Sequence, residues 1–240
     1  MTPTTPTTPM TAMTPMTAIT EERNAMRAAV FLGPSLSPAL AAKELDAEYL
    51  PPIQRGDIDA LLSRPAPPEV IGIVDGRFLS SLSISPKEVL SAVDQGVRVY
   101  GSSSMGALRA VECAPWGMIG VGRIYEAYAS GAVDADDEVA IVYDEETGAA
   151  ASDPMINLRF AVAAAVERGL VTAGTGAVFV DAAKQLYFPD RTARNVLRVV
   201  EPALPAGEHQ ALTRFFAAGA PDTKADDARL LLGAIRDYLG

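Results

Sequence analysis

The chain of 240 residues carries one cysteine, Cys113, and one histidine, His209. A single thiol excludes an internal disulfide and a cysteine-cluster zinc site, and it fits a reducing cytoplasm. The lone histidine lies in the loop Pro205-Ala206-Gly207-Glu208-His209, with nothing catalytic around it, so a Ser-His-Asp triad is not expected. Positive charge is also scarce: 20 Lys and Arg stand against 30 Asp and Glu, a net charge of −10. That balance argues against nucleic acid or an anionic membrane surface as a partner. Apolar runs are short and interrupted by charge, which excludes a bilayer-spanning helix. Residues 1–25 begin with a Thr/Pro/Met tract that has neither the basic start nor the continuous apolar stretch of a signal peptide. They read as a disordered leader.

What is present alternates. Short apolar runs suited to buried strands occur at Ala29–Leu32, Glu48–Leu50, Val70–Val74, Val97–Tyr100 and Val139–Tyr143, with helical stretches between them. Ser37-Pro38 opens a helix toward Leu45 and Ser85-Pro86 opens one to Asp94, each placing a capping hydroxyl before a proline at the first helical position. Asp153-Pro154 repeats the device before a helix from Met155 to Arg168, which Gly169 stops. The pattern predicts an α/β fold: an open, mostly parallel, Rossmann-like sheet of about five strands with helices on both faces. A core domain over 26–168 would be followed by a helical C-terminal region over 169–240, in which Ala177–Val180 is ambiguous between helix and strand.

The chemistry concentrates where the run Val97-Arg98-Val99-Tyr100 breaks into Gly101-Ser102-Ser103-Ser104-Met105-Gly106 and restarts as a helix. A strand–turn–helix elbow puts a side chain at the carboxyl end of a parallel strand and aims the next helix's N–H groups at what is bound there. Ser102 replaces the first glycine of a G-x-S-x-G elbow. Two readings stay open: Ser104 as nucleophile, with the N–H groups of Met105 and Gly106 holding an oxyanion, or a serine-rich turn that caps a helix. Asp75, at the end of the Val70–Val74 run, is the preferred acid, base or orienting carboxylate, or else a turn aspartate. Gly33 and Ser35 follow the first strand and belong to the same edge. Arg109 and Glu112 are three apart on the helix after the elbow and so form a pair, either facing the site or solvated. Asn157, Arg159 and Arg55 are further anion-binding candidates. Gly117–Gly122 lacks the order of a dinucleotide loop. No cofactor is expected, and no metal, because consecutive Asp136-Asp137-Glu138 would point to alternate faces of a strand. Cys113 is read as a small buried helix residue rather than a sulfur-carrying thiol.

Taken together, Phe31–Ser35, Pro51-Pro52 with Arg55-Gly56-Asp57, Ile71–Gly76, Gly101–Ala110 with Glu112, Gly117–Tyr125, Asp136–Ala140 and Pro154–Arg159 resemble the TfuA-like proteins, encoded beside YcaO enzymes in peptide thioamidation pathways. The resemblance covers about Val30 to Arg159. It implies a protein that works with a YcaO enzyme and with a ubiquitin-like sulfur-carrier protein, and homo-oligomers are compatible with it. The activity implied is hydrolysis of the carrier's C-terminal thiocarboxylate to release sulfide, with Ser104, Asp75, Arg109 and Glu112 catalytic. Gly33, Ser35, Ser103, Met105, Gly106, Asn157 and Arg159 would then bind substrate. The alternative is a non-catalytic subunit that docks the carrier onto YcaO.

Overall fold

The two central strands form where aliphatic and aromatic residues leave no polar side chain to expose. The computed structural model describes residues 27–78, 82–144 and 150–240, so the leader expected over 1–25 lies outside the described residues. Ala28–Phe31 (β1) and Val70–Ile73 (β3) are buried at every position. Glu48–Leu50 (β2) and Arg98–Gly101 (β4) flank them, and Ile119–Gly120 (β5) closes one edge. All four pairings are parallel, in the order β2-β1-β3-β4-β5. Continuous apolar strands are what a parallel sheet covered on both faces requires.

The fifth strand is not the one expected. Tyr100 and Gly101 pair with Ile119 and Gly120, whereas Val139 is packed among Ala107, Ile124 and Ile156, and Tyr143 joins Ala150 in an isolated bridge outside the sheet. The apolar run at 139 serves helix packing instead of the sheet.

One face is covered by Asp57–Leu62 (α2), Pro86–Asp94 (α3) and Met105–Cys113 (α4), which bury Ile58, Leu61, Val89, Ala92, Met105 and Ala110 against Phe31, Ile71, Ile73 and Val99. Ser85 and Glu88 cap α3: the Ser85 N–H and hydroxyl both donate to the Glu88 carboxylate. The Ser37 side chain caps nothing, and the helix after it (α1) is one turn, Pro38–Ala41.

Arg123–Ala129 (α5) follows β5, and Met155–Glu167 (α6), Ala173–Gln185 (α7), Ala193–Val200 (α8) and Ala206–Ala217 (α9) come next. The ambiguous Ala177–Val180 lies inside α7. Asp153 does not cap α6; its carboxylate accepts from the Ala193 N–H at the start of α8. Helices α6 to α9 share a core around Leu158, Val162, Phe179, Val196 and Leu212.

Thr223–Leu239 (α10) returns to the sheet. Ala228, Leu231, Leu232 and Ile235 are inaccessible against Val30, Val70 and Val74 on the face opposite α2 to α4. At about 2 kcal/mol for each large aliphatic side chain, this stripe is a principal source of the helix's attachment. Helix α10 is therefore part of the sheet's second layer, whereas α7 to α9 pack with α6 in a core of their own. Among the described residues no helix is long and apolar enough to cross a membrane.

Candidate active site

In a parallel sheet of this order the loops after β1 and β3 leave in opposite directions, and ligands of such folds gather at the carboxyl edge where they part. Three segments meet there. The Asp75 carboxylate, after β3, accepts from the N–H groups of Gly33 and Ser35 at 2.9 and 3.0 Å and from the Ser35 hydroxyl at 2.6 Å, all in the loop after β1. The third segment is the serine elbow after β4.

The elbow is strained. Ser103 has φ 63, the only positive φ among described residues other than glycine, a conformation that costs about 1 kcal/mol or more and persists where its surroundings enforce it. Its hydroxyl donates to the Lys224 carbonyl at 2.7 Å, and that of Ser102 donates to the Asp227 carbonyl at 2.9 Å, so both hold the first turn of α10. Ser104 is thereby turned toward the Lys224 side chain. The Lys224 amine donates to Ser104 Oγ at 3.2 Å and to the Val139 carbonyl at 3.0 Å, and lies 3.8 Å from Asp75 Oδ1. Asp75, Ser104 and Lys224 are each at most 3% exposed.

Lys224 is the member of this cluster that sequence reading missed. Burial depresses its pKa below the ordinary lysine value, while Asp75 and Asp222 oppose the shift. A buried amine beside a hydroxyl can take up the hydroxyl's proton once it is neutral. The signal was in the spacing: Lys224 stands four residues before Ala228 and continues the stripe Ala228, Leu231, Ile235 that α10 buries.

The remaining candidates are placed as follows. Asn157 accepts from the Lys224 N–H and donates to Asp222, fixing the start of α10 rather than facing solvent as an anion binder. Arg109 and Glu112 pair at 2.6 Å as expected, but Arg109 Nε donates to the Ile84 carbonyl, so their bonds tie α4 to the segment before α3 and not to Asp75 or Ser104. Arg159 pairs with the buried Glu138, which Lys184 also approaches. Glu138 and its neighbours form a short 3-10 helix from Asp136, not a strand. The Gly106 N–H is committed to the Val74 carbonyl at 3.2 Å and so does not join an oxyanion hole. Among the described residues the Met105 N–H has no acceptor, while its side chain is buried in the core. His209 Nε2 donates to the Leu197 carbonyl in the helical region. Cys113 is buried, and burial pushes its thiol up, away from thiolate chemistry. The N-terminus of α5, beyond the Gly117–Gly122 stretch, holds the chain's own Asp227 carboxylate, bonded to the N–H groups of Arg123 and Ile124.

These features define an open parallel α/β protein with a serine, a lysine and an aspartate assembled at its switch point. Residues 75–192 match the family model of TfuA-like proteins, and the chain belongs to that family. The matched stretch contains Asp75 and Ser104 but ends before Lys224. No curated protein matches the chain.

Proposed function

We propose that this TfuA-like protein serves peptide backbone thioamidation beside a YcaO enzyme, and that it hydrolyses the C-terminal thiocarboxylate of a ubiquitin-like sulfur-carrier protein to supply sulfide. The observation that carries the reading is the strained elbow, which presents Ser104 beside Lys224 and Asp75 at the carboxyl edge of the sheet. In the reaction Ser104 Oγ bonds to the thiocarboxylate carbon and the carbon–sulfur bond breaks, releasing hydrosulfide and leaving an acyl ester on the serine. Water then cleaves the ester. The sum is thiocarboxylate plus water giving carboxylate, hydrosulfide and a proton, so neither oxidant nor cofactor is consumed.

The burial of Ser104 and Lys224 favours a second reading, in which their contact only anchors α10 and the protein docks the carrier onto YcaO without chemistry of its own. The two separate on one experiment. The protein is incubated with thiocarboxylated carrier, and intact-mass spectrometry follows conversion to carboxylate while sulfide is assayed, for wild type and Ser104→Ala. Turnover by wild type and its loss in the variant are expected. No turnover, with or without YcaO, transfers the assignment to the docking subunit.

A further inference from the structure

We propose that the open groove between α6 and α7 is the interface of a two-fold homodimer, covered by a second copy of this chain. The proposal is independent of the reaction assigned above. The two helices come close at Gly176, where a Cβ would stand 3.0 Å from Val166 Cγ2 and 3.9 Å from Val162 Cγ2. These valines and Val180 line an apolar cavity of about 500 Å³ along the pair. Asn157, Arg159 and Glu167 are the only polar residues in the 13 of α6, and a helix apolar nearly all round belongs inside a larger packing. One side of it is nevertheless bare: Ala163 is exposed, and so is Ala177 on α7 across the groove.

A second copy is the occupant that the charges fit. Arg159, Ala163 and Glu167 follow one another at intervals of four, so they stand in line along the groove with the alanine midway. The Glu167 carboxylate has no partner among the described residues. Arg159 commits Nε and Nη2 to the buried Glu138, leaving Nη1 without an acceptor among them, and Lys184 shares that carboxylate. A two-fold axis crossing α6 at Ala163 runs the two copies of the helix antiparallel and sets each Arg159 against the other copy's Glu167. One patch thus meets itself and satisfies both pairs at once; a parallel arrangement would oppose like charges. Asp181, four residues beyond Ala177, comes opposite the other copy's Ala173 and remains at the rim. The methyl groups of Ala163 and Ala177 let the helices cross closely while the valines interdigitate.

The test is the mass of the full chain in solution, by light scattering after gel filtration at loads up to about 100 µM, a range in which interfaces of ordinary size associate. Wild type is expected at twice the chain mass of 25.2 kDa. Ala163→Glu brings two carboxylates together on the axis, at a position exposed in the single chain, and should give the monomer mass with an unchanged circular dichroism spectrum. Glu167→Lys turns two attractive pairs into repulsive ones and should weaken association about 10-fold. Arg159 is left alone because it holds Glu138. Ala163→Cys should cross-link to its own mate on mild oxidation, since a residue on the axis lies within disulfide reach of itself, whereas the native Cys113 is buried and should not. A wild-type monomer at every load overturns the proposal and leaves the groove to a different protein. A dimer that survives Ala163→Glu, or whose Ala163→Cys form does not cross-link, overturns it too, because the contact then lies elsewhere. Should Ala163→Glu fail to fold, the cross-link decides.

Discussion

Asp75 and Ser35 are joined twice, the Ser35 N–H donating to Oδ2 at 3.0 Å and the hydroxyl to Oδ1 at 2.6 Å. With the Gly33 N–H on the same carboxylate, the β1 loop is held to the end of β3 by three charge-assisted bonds. Asp75→Asn places an amide donor among donors and removes the charge facing Lys224. A loss of about 3 kcal/mol is expected in urea unfolding, the scale of breaking a buried ionic cluster. A loss under about 1 kcal/mol would show that water replaces these bonds freely.

Gly106 tests the approach of α4 to the sheet. A Cβ there would lie 1.7 Å from the Ile73 carbonyl oxygen, a backbone atom that cannot swing away. Helix propensity alone favours Gly106→Ala by about 1 kcal/mol. The steric conflict should reverse the sign and destabilise the fold by about 3 kcal/mol or more, or prevent folding. Thermal unfolding monitored by circular dichroism gives the answer.

Asp227 fills the N-terminus of α5, and Gly122, at φ 96, leaves room for it: a Cβ at Gly122 would sit 2.4 Å from the carboxylate carbon. Asp227→Ala strands the buried Ile124 N–H and the half-buried Arg123 N–H and should cost about 2 kcal/mol. Faster hydrogen exchange at Arg123 and Ile124 is the accompanying signature; unchanged protection there would mean another group takes over the cap.

Lys224 makes stability depend on pH in a definite direction. Because its pKa is lower folded than unfolded, the unfolded chain binds more protons between the two values. Stability therefore rises with pH across that window, by at most about 1.4 kcal/mol per unit, and the burial cost persists below it. Urea titrations of wild type and Lys224→Met between neutral pH and about 10 should show this slope in wild type and its absence in the variant. Parallel slopes would place the amine in an environment that does not favour its neutral form.

Much of the architecture was legible because it rests on local rules. Four of the five strands fall on the runs expected from the sequence, and Ser85 before Pro86 marks a helix start by an ordinary cap. The two-residue strand Ile119–Gly120 was not legible, since no periodicity can be read from two residues. The convergence of Asp75, Gly33, Ser35 and the elbow was legible because positions after parallel strands meet by topology. Lys224 escaped because Thr223-Lys224-Ala225-Asp226-Asp227 has the composition of an exposed first turn, and lysine is almost never fully buried. Arg109 was misplaced for the converse reason: its position on the helix after the elbow was right, but a single sequence does not say that the Ile84 carbonyl satisfies it.

The hydroxyl of Ser104 and the amine of Lys224 are 120 residues apart along the chain, and the bonds from Ser103 and Ser102 to α10 span 121 and 125. Contacts of that range form late, after the entropy of closing a long loop has been overcome. The β3–β4–α4 unit, built from short-range contacts, carries the serine alone. A half-folded chain therefore displays a hydroxyl with no amine near it, and the two groups meet only with the last long-range closure. The contact between Ser104 and Lys224 is thus itself a report of completed folding.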